Sequence, residues 1–152
     1  MPLNPEFVGR VYPPGPSYVV GREKIREFAS AIGDHNPAYH DVEAARALGY
    51  ADVIAPPTFS VMLALRSAGQ VTHDPDLGLD YSRVVHGEQR FAYRRPIVAG
   101  DELIVTTTIE AIRSMAGNDM ITTRGEIATV AGELVVTTTS LLVSRAAEED
   151  PS

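Results

Sequence analysis

A change of texture part-way along the chain most constrains its fold. Residues 58–68 include Phe59, Val61, Met62, Leu63, Ala64 and Leu65, apolar nearly all round a helix. Such a helix is buried on most sides, which predicts a central element. Pro56-Pro57 precede it, where missing N–H groups cost little. Four segments dense in Val, Ile and Thr then follow, at 83–94, 102–113, 120–129 and 134–144. β-Branched residues of this kind suit a pleated, half-buried surface. Ala99-Gly100-Asp101, Gly117-Asn118-Asp119 and Ala131-Gly132 separate them, short connections of the hairpin type. Leu103, Val105, Thr107 and Ile109 share one strand face, and Val135, Thr137, Thr139, Leu141 and Val143 another, by the two-residue period of a strand.

The expectation is a meander of long antiparallel strands whose apolar face the 58–68 helix covers, since no other segment is apolar enough. That is an α+β chain with the hot-dog arrangement, an antiparallel sheet wrapped around a long central helix. A sheet of this form leaves an edge free, which predicts side-by-side dimerisation. Ahead of the central helix, Pro13-Pro14-Gly15-Pro16 argues against regular structure in the first segment. Residues 17–20 read as a short strand. Ile25, Phe28, Ala29 and Ile32 then space an amphipathic helix over 22–32, with Gly33 placed to end it. Residues 34–39 read as a polar loop, and 41–48 as a short helix with Asp41 as N-cap and Gly49 as stop. Residues 72–82, rich in Asp and Gly, read as a loose loop.

A length of 152 residues suits one domain over 1–145, followed by a small acidic tail at 146–152 expected to be disordered. Cysteine is absent, which excludes disulfides and cysteine metal sites and fits a cytoplasmic setting. The first residues have neither a basic start nor an apolar run, so no signal peptide is expected. No segment approaches the ~20 apolar residues that span a bilayer, so no membrane partner is expected. Net charge is −7 without a Lys/Arg cluster, which argues against nucleic acid. An acidic carrier protein would need a local basic patch; Arg90, Arg94 and Arg95 are the candidates. No metal-ligand spacing is present, and no cofactor is expected.

Phe28-Ala29-Ser30-Ala31-Ile32-Gly33-Asp34-His35-Asn36-Pro37-Ala38-Tyr39-His40-Asp41 resembles the overhang motif of MaoC-like (R)-specific hydratases and dehydratases. Val53-Ile54-Ala55-Pro56-Pro57-Thr58-Phe59, His86-Gly87-Glu88-Gln89 and Arg94-Arg95-Pro96-Ile97 resemble the N-terminal, FAS1-like dehydratase subgroup. The resemblance implies a hot-dog domain that holds an acyl-CoA or acyl-carrier-protein thioester and interconverts (3R)-hydroxyacyl and trans-2-enoyl groups. It assigns Asp34 and His40 to catalysis, and Asn36, Tyr39, Pro57, Thr58 and His86 to substrate binding. Val61, Met62 and Leu65 of the central helix would line an acyl tunnel. The chemistry needs one group for the water and another for the α-proton, with an N–H donor for the thioester oxygen.

Two positions depart from the family pattern. The family's histidine place holds Tyr39, with His40 one residue later, and Pro57, which has no N–H, stands where catalytic members carry glycine. Thr58 is the alternative donor. These departures favour a subunit that binds the acyl chain and takes the complete Asp/His pair from a partner hot dog. A self-sufficient homodimeric hydratase and a non-catalytic acyl-binding hot dog are the alternatives. Each residue also has a purely structural role open to it: Asp34 in an Asx turn, His40 at a helix start, His35 in solvent, His86 satisfying a strand edge.

Overall fold

A computed structural model of the chain describes residues 3–145, so the expected 146–152 tail lies outside the described residues. The elements run β1 (Val11–Tyr12), β2 (Tyr18–Val19), α1 (Arg22–Ala31), α2 (Val42–Ala47), α3 (Ser60–Thr72), β3 (Val84–Tyr93), β4 (Glu102–Met115), β5 (Asn118–Thr129) and β6 (Leu134–Ser144). All strand pairings are antiparallel, and the sheet order is β1-β4-β5-β6-β3 with β2 also on β4. Helix α3 lies against β4, β5 and β6. This is the expected hot-dog architecture.

The order corrects the expected meander. Only β4-β5-β6 follow one another; β3 crosses to pair with β6, so Ala99-Gly100-Asp101 does not close a hairpin between β3 and β4. The connection is instead tied down. Gly100 N–H donates to the Val20 carbonyl, Ala55 N–H donates to Ile97, and Ile54 bridges Val98. Burial under the helix decides this, because β3 brings Phe91 and Tyr93 to the core beside β6. The β3 strand is left at an edge and carries exposed Val85, Gly87, Glu88 and Arg90.

Helix α3 starts two residues later than expected and runs four further, and Thr58 and Phe59 lie in the turn before it. Its cover is also less complete: Leu63, Ala64, Ala68 and Val71 are buried, Val61 and Met62 half-buried, and Leu65 is 48% exposed. Leu65 therefore stands on the helix's open side, while Met62 packs against the core. On β6, the buried row is Val136, Thr138, Ser140 and Leu142, whereas Thr137, Thr139, Leu141 and Val143 face outward. Val135 is buried beside an irregularity in pairing between Ile127 and Ala128, and from there the even-numbered residues, which mix apolar and hydroxyl side chains, turn inward.

The inner face carries two apolar clusters. One gathers Ile25, Ala38, Tyr39, Val53, Phe59, Leu63, Ile97, Leu103 and Ile127; the other gathers Leu3, Phe7, Tyr12, Val71, Leu77, Ile109, Ile121 and Leu142. Small and hydroxylated residues lie between them. Ser67 bonds Thr107 at 2.7 Å, Thr138 donates to the Gly125 carbonyl, and Ser140 donates to Gln89. A Cβ on Gly125 would stand 2.5 Å from Thr138 Oγ1, so any larger residue there requires the Thr138 side chain to shift. The second cluster corrects two expectations. The first segment forms a 3-10 turn at Pro5–Phe7 and strand β1, ahead of its prolines, and the 72–82 loop is anchored by Leu77, fully buried.

Candidate functional site

The overhang motif is built from the end of α1 onward. Gly33 takes φ +72°, a left-handed value that ends the helix, and Asp34 N–H donates back to the Ala29 carbonyl. Asp34 Oδ1 then accepts from Asn36 N–H at 3.1 Å, and Asn36 Oδ1 accepts from Ala38 N–H at 3.1 Å. Two successive Asx turns thus hold a short 3-10 turn, Pro37–Tyr39, after which Asp41 caps α2 by accepting from Glu43 N–H at 2.9 Å.

This geometry brings Asp34, Asn36, Tyr39 and His40 together but points them differently. His40 Nε2 donates to the backbone carbonyl of Asp34 at 3.0 Å, not to its carboxylate. The shift of histidine by one position makes that bond: His40 folds back over the loop, and Tyr39 turns inward and is 8% exposed. Burial, and then the negative charge of Asp34, push the Tyr39 phenol above its ordinary pKa. His35 stays exposed, with its ring 6.5 Å from that of His40.

Tyr39 lines a cleft of about 380 Å³ with Ile54, Ala55, Pro57, Tyr93 and Pro96. Pro57 and Thr58 are exposed at its margin. Tyr93, not singled out from the sequence, dominates the start of α3. Its hydroxyl donates to the Pro57 carbonyl at 2.6 Å and bonds Ser60 Oγ at 2.9 Å. Burial raises its pKa, while hydrogen bonds from the Ser60 side chain and backbone pull the other way. The phenol thus ties the Pro57 carbonyl to the Ser60 hydroxyl, whereas the Thr58 N–H has no partner among the described residues. Strand parity was the available signal, since Phe91 and Tyr93 alternate toward the same face.

Arg95, on the wall of the cleft, is locked in ion pairs. It donates to both Asp101 carboxylate oxygens at 2.8 and 3.0 Å and to Glu133 at 2.8 Å, and Asp101 also accepts from Val98 N–H. The Asp101 pairing holds the guanidinium firmly charged. Val61 and Met62 lie half-buried on α3, with Leu65 beyond them. His86 is not brought to the cleft. It bonds Gln89 at 3.1 Å near the start of β3, seven residues and about 23 Å of strand from Tyr93. Among the described residues, no cluster of three His, Asp or Glu could hold a metal ion, and no helix is long and apolar enough to cross a membrane.

The family model for the FAS1-like dehydratase domain region matches residues 6–138. The chain belongs to this family. With it come the MaoC-like superfamily and its hot-dog fold. A UPF0336 protein of Streptomyces griseus is 64% identical over 149 residues, 98% of this chain and 99% of that protein. Among solved structures, a MaoC-like dehydratase superposes with TM-score 0.86 at 38% identity over 93% of this chain, which spans only 43% of that longer protein. The C-terminally truncated HadBC (3R-hydroxyacyl-ACP dehydratase) complex of Mycobacterium tuberculosis gives TM-score 0.82 at 33% identity, covering 90% of this chain and 96% of that one.

Proposed function

We propose that this FAS1-like dehydratase chain is the acyl-accommodating subunit of a (3R)-hydroxyacyl-thioester dehydratase, completed by a second hot-dog subunit. One observation carries the reading: the imidazole of His40 is bonded to the Asp34 backbone, and the side chain that enters the cleft in its stead is the phenol of Tyr39. Dehydration removes a proton from Cα, forms the Cα=Cβ bond and expels the 3-hydroxyl, which takes up a proton and leaves as water. A phenol with its pKa raised above ~10 stays protonated at neutral pH. It can donate a hydrogen bond to the substrate but cannot take the α-proton. The base therefore comes from a partner.

Half-buried Val61 and exposed Leu65 on α3 offer an acyl chain apolar surface outside the wall of the Tyr39 cleft, while Met62 packs against the core. The Thr58 N–H is the donor available to a thioester oxygen. The free edge of β3 offers a partner sheet its unpaired backbone groups. Support also comes from the relatives. The HadBC structure is a complex of dehydratase subunits, and the longer MaoC-like dehydratase has room for a second unit beside the region that matches this chain.

The contact between Asp34 and His40 favours a second reading, a self-sufficient hydratase in a homodimer. Hydration of a short trans-2-enoyl-CoA, followed by loss of enoyl absorbance, separates the two. The purified chain alone is expected to be inactive, with turnover appearing when a catalytic hot-dog subunit is added. Robust turnover alone, abolished by Asp34→Asn and by His40→Ala, overturns the subunit reading.

A further inference from the structure

We infer that Arg94 is the receptor for the phosphate of a phosphopantetheine arm at the mouth of the Tyr39–Tyr93 cleft. This rests on the thioester reading above and assigns a positioning residue within it. The expected basic patch of Arg90, Arg94 and Arg95 does not exist as a patch. Arg90 pairs with Glu88, and Arg95 is taken up by Asp101 and Glu133. Arg94 alone of the three has no hydrogen bond or ion pair from its guanidinium among the described residues, although its backbone is fixed by an N–H bond of 2.8 Å to the Val135 carbonyl.

Its place gives the free charge a use. Arg94 and Arg95 both border the cleft and an adjoining recess of about 440 Å³ that also touches Glu133 and Leu134, but the charge of Arg95 is met by Asp101 and Glu133. Three other described arginines lack a carboxylate, but Arg66 lies over the Tyr18 ring beside a different cleft, Arg113 borders the outer face of the sheet, and Arg145 follows β6 with its N–H on the Arg83 carbonyl. Apart from its two phenols and the ion-paired Arg95, the cleft's wall is apolar, so it suits the neutral, slender part of a ligand. Its mouth offers one exposed guanidinium in a chain of net charge −7. A neutral arm ending in a single anionic group matches that division, and arginine's planar fork binds phosphate through paired N–H donors. One cation fits one phosphate, the group that coenzyme A and a carrier-protein arm have in common.

The test is calorimetric titration of the full chain and of Arg94→Ala with butyryl-pantetheine, butyryl-4′-phosphopantetheine, butyryl-CoA and a butyryl-loaded acyl carrier protein. The wild type is expected to bind the phosphopantetheine about tenfold tighter than the pantetheine, the scale of a charge-assisted hydrogen bond. Arg94→Ala is expected to erase that difference and leave butyryl-pantetheine unchanged. Whether butyryl-CoA or the carrier binds the wild type more tightly identifies the source of the arm. A loss confined to butyryl-CoA places the contact on the nucleotide phosphates and overturns the assignment, as does an equal loss with butyryl-pantetheine. Wild-type affinity of Arg94→Ala for every probe overturns the phosphate role alone. Failure of the wild type to bind any of the four overturns the thioester reading itself.

Discussion

The two apolar clusters under the central helix are built to different ends. The first is closed by the overhang motif: Ala38 and Tyr39 are core residues there, and Tyr39 is also a wall of the cleft. The second is closed by Leu3, Phe7, Tyr12 and Leu77, from the first segment and the loop after α3, and contains none of the candidate site residues. In the first cluster, packing and site are the same atoms, so a change in packing is a change in the cleft. In the second, the chain seals the far end of the sheet and nothing more. The hydroxyl-rich band through Thr107, Gly125, Thr138 and Ser140 keeps them apart.

That contrast is most sharply tested at Phe59, which is fully buried and meets Phe28 edge-on at 5.4 Å. Phe59→Ala is expected to cost about 3–5 kcal/mol in urea unfolding, from lost burial and the cavity left behind, and also to weaken thioester binding. Leu77→Ala, in the second cluster, is expected to cost about 2–5 kcal/mol with thioester affinity unchanged. If Leu77→Ala weakens binding as much as Phe59→Ala does, the two clusters are not functionally separate. At the boundary, Gly125→Ala forces a methyl against Thr138 Oγ1. A loss of about 1–3 kcal/mol is expected from overpacking, and Gly125→Ala combined with Thr138→Ala, which removes the clashing oxygen, is expected to recover part of it.

The smallest effect is a pH dependence at Tyr12 in the second cluster, which adds to that of the buried phenols Tyr39 and Tyr93 in the first. Burial, and then the hydrogen bond from its hydroxyl to Asp74 at 2.9 Å, push the Tyr12 pKa up to about 12. Below pH ~10 the phenol is protonated in both states and its contribution is fully present. Above that the unfolded chain loses the proton while the folded chain keeps it, so stability falls between about 10 and about 12. Thermal unfolding from pH 8 to 11 is expected to show that decline, and Tyr12→Phe to flatten it. An unchanged slope in the variant assigns the decline to other groups.

Much of this was legible in the residues. The 3.6-residue spacing of Ile25, Phe28, Ala29 and Ile32 with Gly33 specified α1 and its end, and Asp41 and Gly49 bounded α2, because caps act over single turns. The strands at 102–113 and 120–129 were equally plain from local composition, each lengthened by two residues at the hairpin they form. Strand order was not legible, since the pairing of β3 with β6 is decided by which sheet position buries Phe91 and Tyr93, a contact between distant segments. Which face of β6 turns inward was not legible for a similar reason: a local irregularity in pairing shifts parity, and Thr and Val occur on both faces.

The candidate site divides in the same way. By itself the sequence determined the Gly-Asp-x-Asn-Pro turn, because Asx turns close between neighbours, and it showed that histidine stands one place late. Only the tertiary structure decided what that displacement does, turning His40 onto the Asp34 carbonyl and Tyr39 into the cleft. It also brought Tyr93 to the start of α3 and left Arg94 unpaired while its neighbour Arg95 was bound by Asp101 and Glu133. A side chain's direction and partners depend on groups brought near by folding, and no spacing along the chain encodes which carboxylate an arginine will meet.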